Sequence, residues 1–137
     1  MIDDNFGEIA INNESDIIVV RKTVRVEATK LDFGLTDLTR IVTAASELAR
    51  NVFLYAGSGV MKWRVLKANT MVGIELTFED NGPGIADLEQ VMREGYSTSH
   101  GLGLGLPGSK RLMDEMEINS HPGEGTTIII KKWRRRY

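Results

Sequence analysis

Apolar and polar positions follow two periods along this chain, and the switches between them mark out its elements. Glu8 to Ile11 alternate as a short first strand. Asn13 to Asp16 supply capping side chains, and the spacing predicts a helix running to about Leu31. "DFGLTD" (Asp32 to Asp37) breaks that helix, and Thr36 or Asp37 caps a second one reaching about Tyr55. "AGSG" (Ala56 to Gly59) stops it. On a helical wheel of about 100° per residue, Leu38, Ile41, Val42, Ala45, Ala49, Val52 and Phe53 form one apolar stripe. Glu47 and Asn51, spaced i and i+4, lie on the face roughly opposite. Period two returns at Val60 to Leu66 and Met71 to Glu79, two strands about a turn at Ala68 to Thr70. "DNGPG" (Asp80 to Gly84) is a loop. A short helix over Leu88 to Glu94 follows, then a Gly-rich segment and a helix to about Met116. Two strands, Glu117 to His121 and Thr126 to Trp133, flank the turn "PGEG". The order β-α-α-β-β-loop-α-β-β implies one sheet with helices packed on one face.

Composition narrows the class. Residues 1–137 are enough for one domain with a real core, and no repeat or linker interrupts them. With 42% apolar and 26% charged residues, the chain is not of the disordered type. A net charge of −2 sets up no general field toward nucleic acid or membrane. The absence of cysteine excludes disulfides, thiolate metal sites and a thiol nucleophile. The N-terminus "MIDDNFGEIAINNESD" is acidic and lacks the form of a signal peptide, and no apolar run is long enough for a bilayer. The expectation is a soluble, cytoplasmic domain.

Candidate chemistry begins at "SHGLGLGLPGSKR" (Ser99 to Arg111), with glycines at 101, 103, 105 and 108. Glycines this dense suggest a backbone held close to phosphate. Gly103-x-Gly105-x-x-Gly108 matches the letters of a dinucleotide fingerprint, but polar "YSTSH" precedes it where a strand is required. A Walker loop fails because Ser109 precedes Lys110. No HRD or DFG triplet of a eukaryotic-type kinase is present. In "EDNGPGI", a type II turn explains Pro83 and Gly84 but leaves Asp80 and Gly82 unassigned. Glu47 and Asn51 alone would pass for solvated helix residues, Arg50 for a solvated side chain or a partner of Glu47, and Thr126 for an edge-strand threonine.

Taken in order, these pieces resemble a family. An ExxxN pair (Glu47, Asn51), DxGxG (Asp80, Gly82, Gly84), GLGLG (Gly101, Gly103, Gly105) and GxGT ending at Thr126 are similar to the boxes of the Bergerat ATP-binding fold. Gyrase-type ATPases, Hsp90, histidine kinases and anti-sigma-factor kinases share that fold. "SELARN", "EGYSTSHGLGLGLPGSKRLMDE" and "GEGT" most resemble the switch serine/threonine-protein kinases of the bacterial stressosome, within the anti-sigma-factor kinase group. The resemblance implies an α+β, two-layer sandwich, with a mixed sheet and helices on one face. It implies that Asp80 accepts a hydrogen bond from the adenine amino group, with Thr126 supporting that carboxylate or its water. Asn51 would give a neutral oxygen to Mg²⁺, the amides of Gly101 to Gly105 would meet the phosphates, and Gly82 and Gly84 would let backbone approach the nucleotide. Glu47 would be the general base. Ile85 to His100 would form a lid, whose Ser97, Thr98 and Ser99 either touch phosphate or keep a loop soluble.

The implied activity is an ATP:protein serine/threonine kinase acting on STAS-domain regulators. A second implied role is as a partner switch that activates a phosphatase. Neither nucleic acid nor membrane is an expected partner. The alternative is an anti-sigma factor that binds a sigma subunit and phosphorylates its antagonist. An ATP-driven clamp needs further domains, and a two-component histidine kinase needs a phospho-acceptor histidine, which neither His100 nor His121 suits by position. A non-catalytic binding module would have no use for Glu47. The tail "KKWRRRY" reads as a solvated basic end or as a dock for an acidic partner, and Trp63 and Trp133 as core or sheet-face residues.

Overall fold

A computed structural model describes residues 5–84 and 106–135. Its elements are β1 (Phe6–Ile11), α1 (Ser15–Lys30), α2 (Leu35–Ala56), β2 (Gly59–Lys67), β3 (Met71–Asp80), α3 (Leu106–Leu112), β4 (Glu115–Ser120) and β5 (Thr126–Arg135). The expected short helix at 88–94, the lid and the glycines at 101, 103 and 105 lie outside the described residues.

The first connection is locked by two short side chains. Asp16 accepts from the Asn12 and Asn13 amides at 2.8 and 3.2 Å, and Asn13 accepts from the Asp16 amide at 3.2 Å. Donors at the start of a helix lack intrahelical partners, so this reciprocal pairing starts α1 where the capping residues indicate. Buried Ile17, Val20, Val24 and Ala28 then face the core at three- and four-residue spacing. Helix α2 begins at Leu35 behind Gly34, whose carbonyl accepts the Leu38 amide at 2.8 Å. Thr36 and Asp37 therefore lie inside its first turn, where Asp37 meets the positive helix end.

The sheet order is β1-β2-β3-β5-β4, and all four pairings are antiparallel. The expected mixed sheet is corrected here. Strand β4 does return in the direction of β3, but β5 is inserted between them, so that parallel relation never becomes a hydrogen-bonded pair. On the helix-covered face, Ile9, Met61, Phe78, Ile128 and Ile118 form one cross-strand row. Against them pack Val20 and Val24 of α1 and Ile41, Ala45, Leu48 and Ala49 of α2. The other face carries paired charges, among them Arg64 with Glu75 at 2.6 Å and Lys62 with Glu79 at 3.0 Å.

Two further expectations are corrected at the C-terminal end. The helix expected to reach Met116 stops at Leu112, and β4 opens at Glu115, because Met116 and Ile118 alternate inward against Ile130 and Ile128. The tail expected to be a solvated end is strand as far as Arg135. Lys132 is buried and donates to the Leu112 carbonyl at 2.9 Å, with Asp114 at 3.5 Å and Asp37 at 3.7 Å. Arg134 donates to the Leu31 carbonyl at 2.7 Å. Trp63 packs against the core, while Trp133 lies against Gly73 of the neighbouring strand β3 and donates to Glu115 at 2.6 Å.

Candidate functional site

One cross-strand row crosses the helix-covered face in polar form. Ile11, Gly59, Asp80, Thr126 and Ser120 stand opposite one another across the five strands. Asp80 ends β3 and Thr126 begins β5, so two distant boxes of the sequence meet through a single register position. Strand β3 delivers Asp80 at its end because Asn81 to Gly84 turn the chain away. The Gly82 amide donates to Asp80 Oδ1 at 2.9 Å, which closes a local turn; among the described residues the second carboxylate oxygen accepts no hydrogen bond.

A cavity opens between this row and α2. Leu48, Asn51, Val52, Tyr55 and Ala56 line it from α2, Phe78 and Asp80 from β3, Thr126 and Ile128 from β5. Among the described residues, Pro83, Gly84 and Leu106 also line it. Its chemistry is graded. Apolar side chains form most of the lining, and Asp80, Thr126 and Asn51 supply the polar groups, as suits a flat base with a polar edge.

The loop beside Asp80 needs its glycines for contact as much as for conformation. A side chain on Gly82 would approach Ala56 Cβ to 2.7 Å. Gly84 has φ +76°, and a Cβ there would collide with the His121 carbonyl. The turn between β4 and β5 is pressed against this loop, with the Gly123 amide donating to the Pro83 carbonyl at 2.6 Å.

Glu47 takes a separate place. It sits one turn before Asn51 on α2 and lines a neighbouring polar depression with Arg21, Arg25, Thr39, Thr43 and Ser46. The structure thus brings Asn51, Asp80, Gly84 and Thr126 onto one cavity, with Gly82 just behind the wall and Glu47 one turn away along the same side of α2. Glu47 and Asn51 are half-buried and not on a solvated face, because Ala44 and Leu48 widen the buried stripe to their side. Tyr55 was not singled out by the sequence, although its spacing of four from Asn51 places it on the same helical face. Ser120 was also missed; its position opposite Thr126 follows once the hairpin turn is fixed. Among the described residues, no three His, Cys, Asp or Glu side chains converge as metal ligands.

Comparison with known proteins gives the family and the fold. Residues 36–136 match the family model described as histidine kinase-, DNA gyrase B-, and HSP90-like ATPase. The chain is 50% identical over 127 residues to the serine/threonine-protein kinase RsbT of Bacillus subtilis, covering 93% of this chain and 96% of that protein. It is 33% identical to an anti-sigma F factor of Halalkalibacterium halodurans, covering 82% of this chain and 80% of that one. Among solved structures, the RsbU and RsbW domains of Rv1364c from Mycobacterium tuberculosis align with TM-score 0.61 at 19% identity, over 95% of this chain and 32% of that one. The catalytic domain of histidine kinase ThkA aligns with TM-score 0.52 at 18% identity, over 93% and 94% of the two chains.

Proposed function

Because this chain belongs to the histidine kinase-, DNA gyrase B-, and HSP90-like ATPase family, we propose that it is an ATP-dependent serine/threonine-protein kinase whose nucleotide occupies the cavity between α2 and β3. The observation that supports this reading most is the meeting of Asp80, Thr126 and Asn51 on one largely apolar cavity. Val52, Phe78 and Ile128 are suited to take the faces of a purine. The second carboxylate oxygen of Asp80 accepts from the 6-amino group, which a 6-oxo purine does not offer. Asn51 would hold Mg²⁺ through its neutral amide oxygen, and the cation would neutralise charge developing on the phosphates. The amides of Gly101, Gly103 and Gly105 are assigned to the phosphates.

ATP, as substrate, supplies the phosphoryl group: the serine or threonine oxygen bonds to the γ-phosphorus as its bond to the bridging oxygen breaks, and ADP leaves. Glu47 takes the proton from the attacking serine or threonine hydroxyl; it is half-buried in a polar depression one helical turn from Asn51. Asn51 and Glu47 thereby divide the work along one helix: one positions charge, the other moves a proton. The substrate class we assign is the STAS-domain regulator, with a phosphatase as the alternate partner in a switch. The whole of residues 1–137 forms the catalytic domain.

The test is to incubate the purified chain with Mg-ATP and a STAS-domain protein and to map the modified residue by mass spectrometry. Phosphoserine or phosphothreonine that forms only with the metal present is expected; none would overturn the reading. The identity to an anti-sigma F factor favours a second reading, in which the chain also holds a sigma subunit. Co-elution with a purified sigma factor distinguishes it.

A further inference from the structure

Ser120 is buried at 8% exposure and does not reach the cavity, yet it stands directly opposite Thr126, which does. The next row of the same sheet face is wholly apolar, so a hydroxyl here is a departure from the local pattern and is costly without partners. Its oxygen lies 2.7 Å from Thr126 Oγ1 and 3.2 Å from the Gly125 carbonyl.

The two hydroxyls hold one hydrogen each. Both contacts are satisfied at once only when Ser120 donates to the Gly125 carbonyl and Thr126 donates to Ser120. Thr126 Oγ1 then has only lone pairs to offer the cavity. Asp80, two strands from Ser120 in the same row, is likewise an acceptor when ionised. Two acceptors side by side favour a ligand edge that brings hydrogens and disfavour one that brings a carbonyl oxygen.

We propose that Ser120 is a positioning residue that sets the purine preference of the site by fixing the direction of the Thr126 hydroxyl. The inference rests on the nucleotide reading of the cavity given above. Without the Ser120 hydroxyl, Thr126 is free to turn its hydrogen toward the ligand and donate to a 6-oxo group.

The experiment is a calorimetric titration of the full chain with Mg-ATP and with Mg-ITP, whose base differs from adenine in the 6-oxo group and the N1 hydrogen. The unchanged chain is expected to prefer ATP. In Ser120→Ala the ratio of the two affinities falls by about fivefold to tenfold, the size of one hydrogen bond. Ser120→Cys fills the same space with a weaker hydrogen-bonding group and gives a shift in the same direction, which decides the matter if the alanine variant does not fold. A purely structural role would weaken both nucleotides alike and leave the ratio unchanged, and that result overturns the proposal while the nucleotide site stands. If the unchanged chain binds neither nucleotide, the cavity reading falls and this proposal with it.

Discussion

Asp80 uses its two oxygens differently, and that division makes it testable. Oδ1 holds the turn through the Gly82 amide at 2.9 Å, and the second oxygen, which has no donor among the described residues, is the one proposed to meet the nucleotide. In Asp80→Asn the amide oxygen can keep the turn, so the fold should survive. The nitrogen then faces the cavity, where an acceptor is needed. The expected outcome is loss of ATP affinity by about tenfold or more, in line with about 1–3 kcal/mol for an unpaired buried group. Titration of the folded variant checks this, and unchanged affinity removes Asp80 from the site. At this scale the sequence was legible where a residue type has few uses, as in a carboxylate at a strand end before two glycines. It was not legible for Ser120 or Tyr55, whose types are common and whose roles depend on what stands opposite.

Elements were legible in kind more than in extent. Periodicity located both long helices and all five strands, because each buries one face against the same core. It placed the end of α3 too late, since Met113 continues the helical spacing while Met116 and Ile118 already belong to strand β4. The basic tail misled for a related reason: charge suggests solvent, yet Lys132 alternates inward with Ile128 and Ile130. Its ammonium meets the Leu112 carbonyl and two aspartates, so β5, the end of α3 and the start of α2 are tied at one point. Lys132→Met keeps the length of the side chain and removes that tie. Asp37 and Asp114 are partly solvated, so the loss is dominated by the unpaired carbonyl, about 1–3 kcal/mol. Urea denaturation should show the midpoint lowered with the slope preserved. An unmoved midpoint would mean that the buried lysine contributes nothing net.

At the scale of the whole molecule, the sheet separates two environments. Its covered face ends in the polar row at the cavity, and its open face carries charge pairs of alternating sign that cancel locally. Nothing in periodicity orders the strands β1-β2-β3-β5-β4, and it is this order that sets Thr126 beside Asp80. Helix α2 borders both depressions, with Asn51 on the cavity and Glu47 in the one beside it. In the proposed kinase, binding and chemistry are therefore separated along one helix. In Glu47→Gln the side chain keeps its size and hydrogen-bonding reach but cannot take a proton, and Asn51 is untouched. Phosphate transfer to a STAS-domain protein, measured in a single turnover beside the direct affinity for Mg-ATP, tests this division. The predicted result is affinity within about twofold of the parent with transfer slowed by roughly 10²–10⁴-fold, leaving a residue of activity from positioning. Transfer at the parent rate would contradict the account, because Glu47 would then be no base.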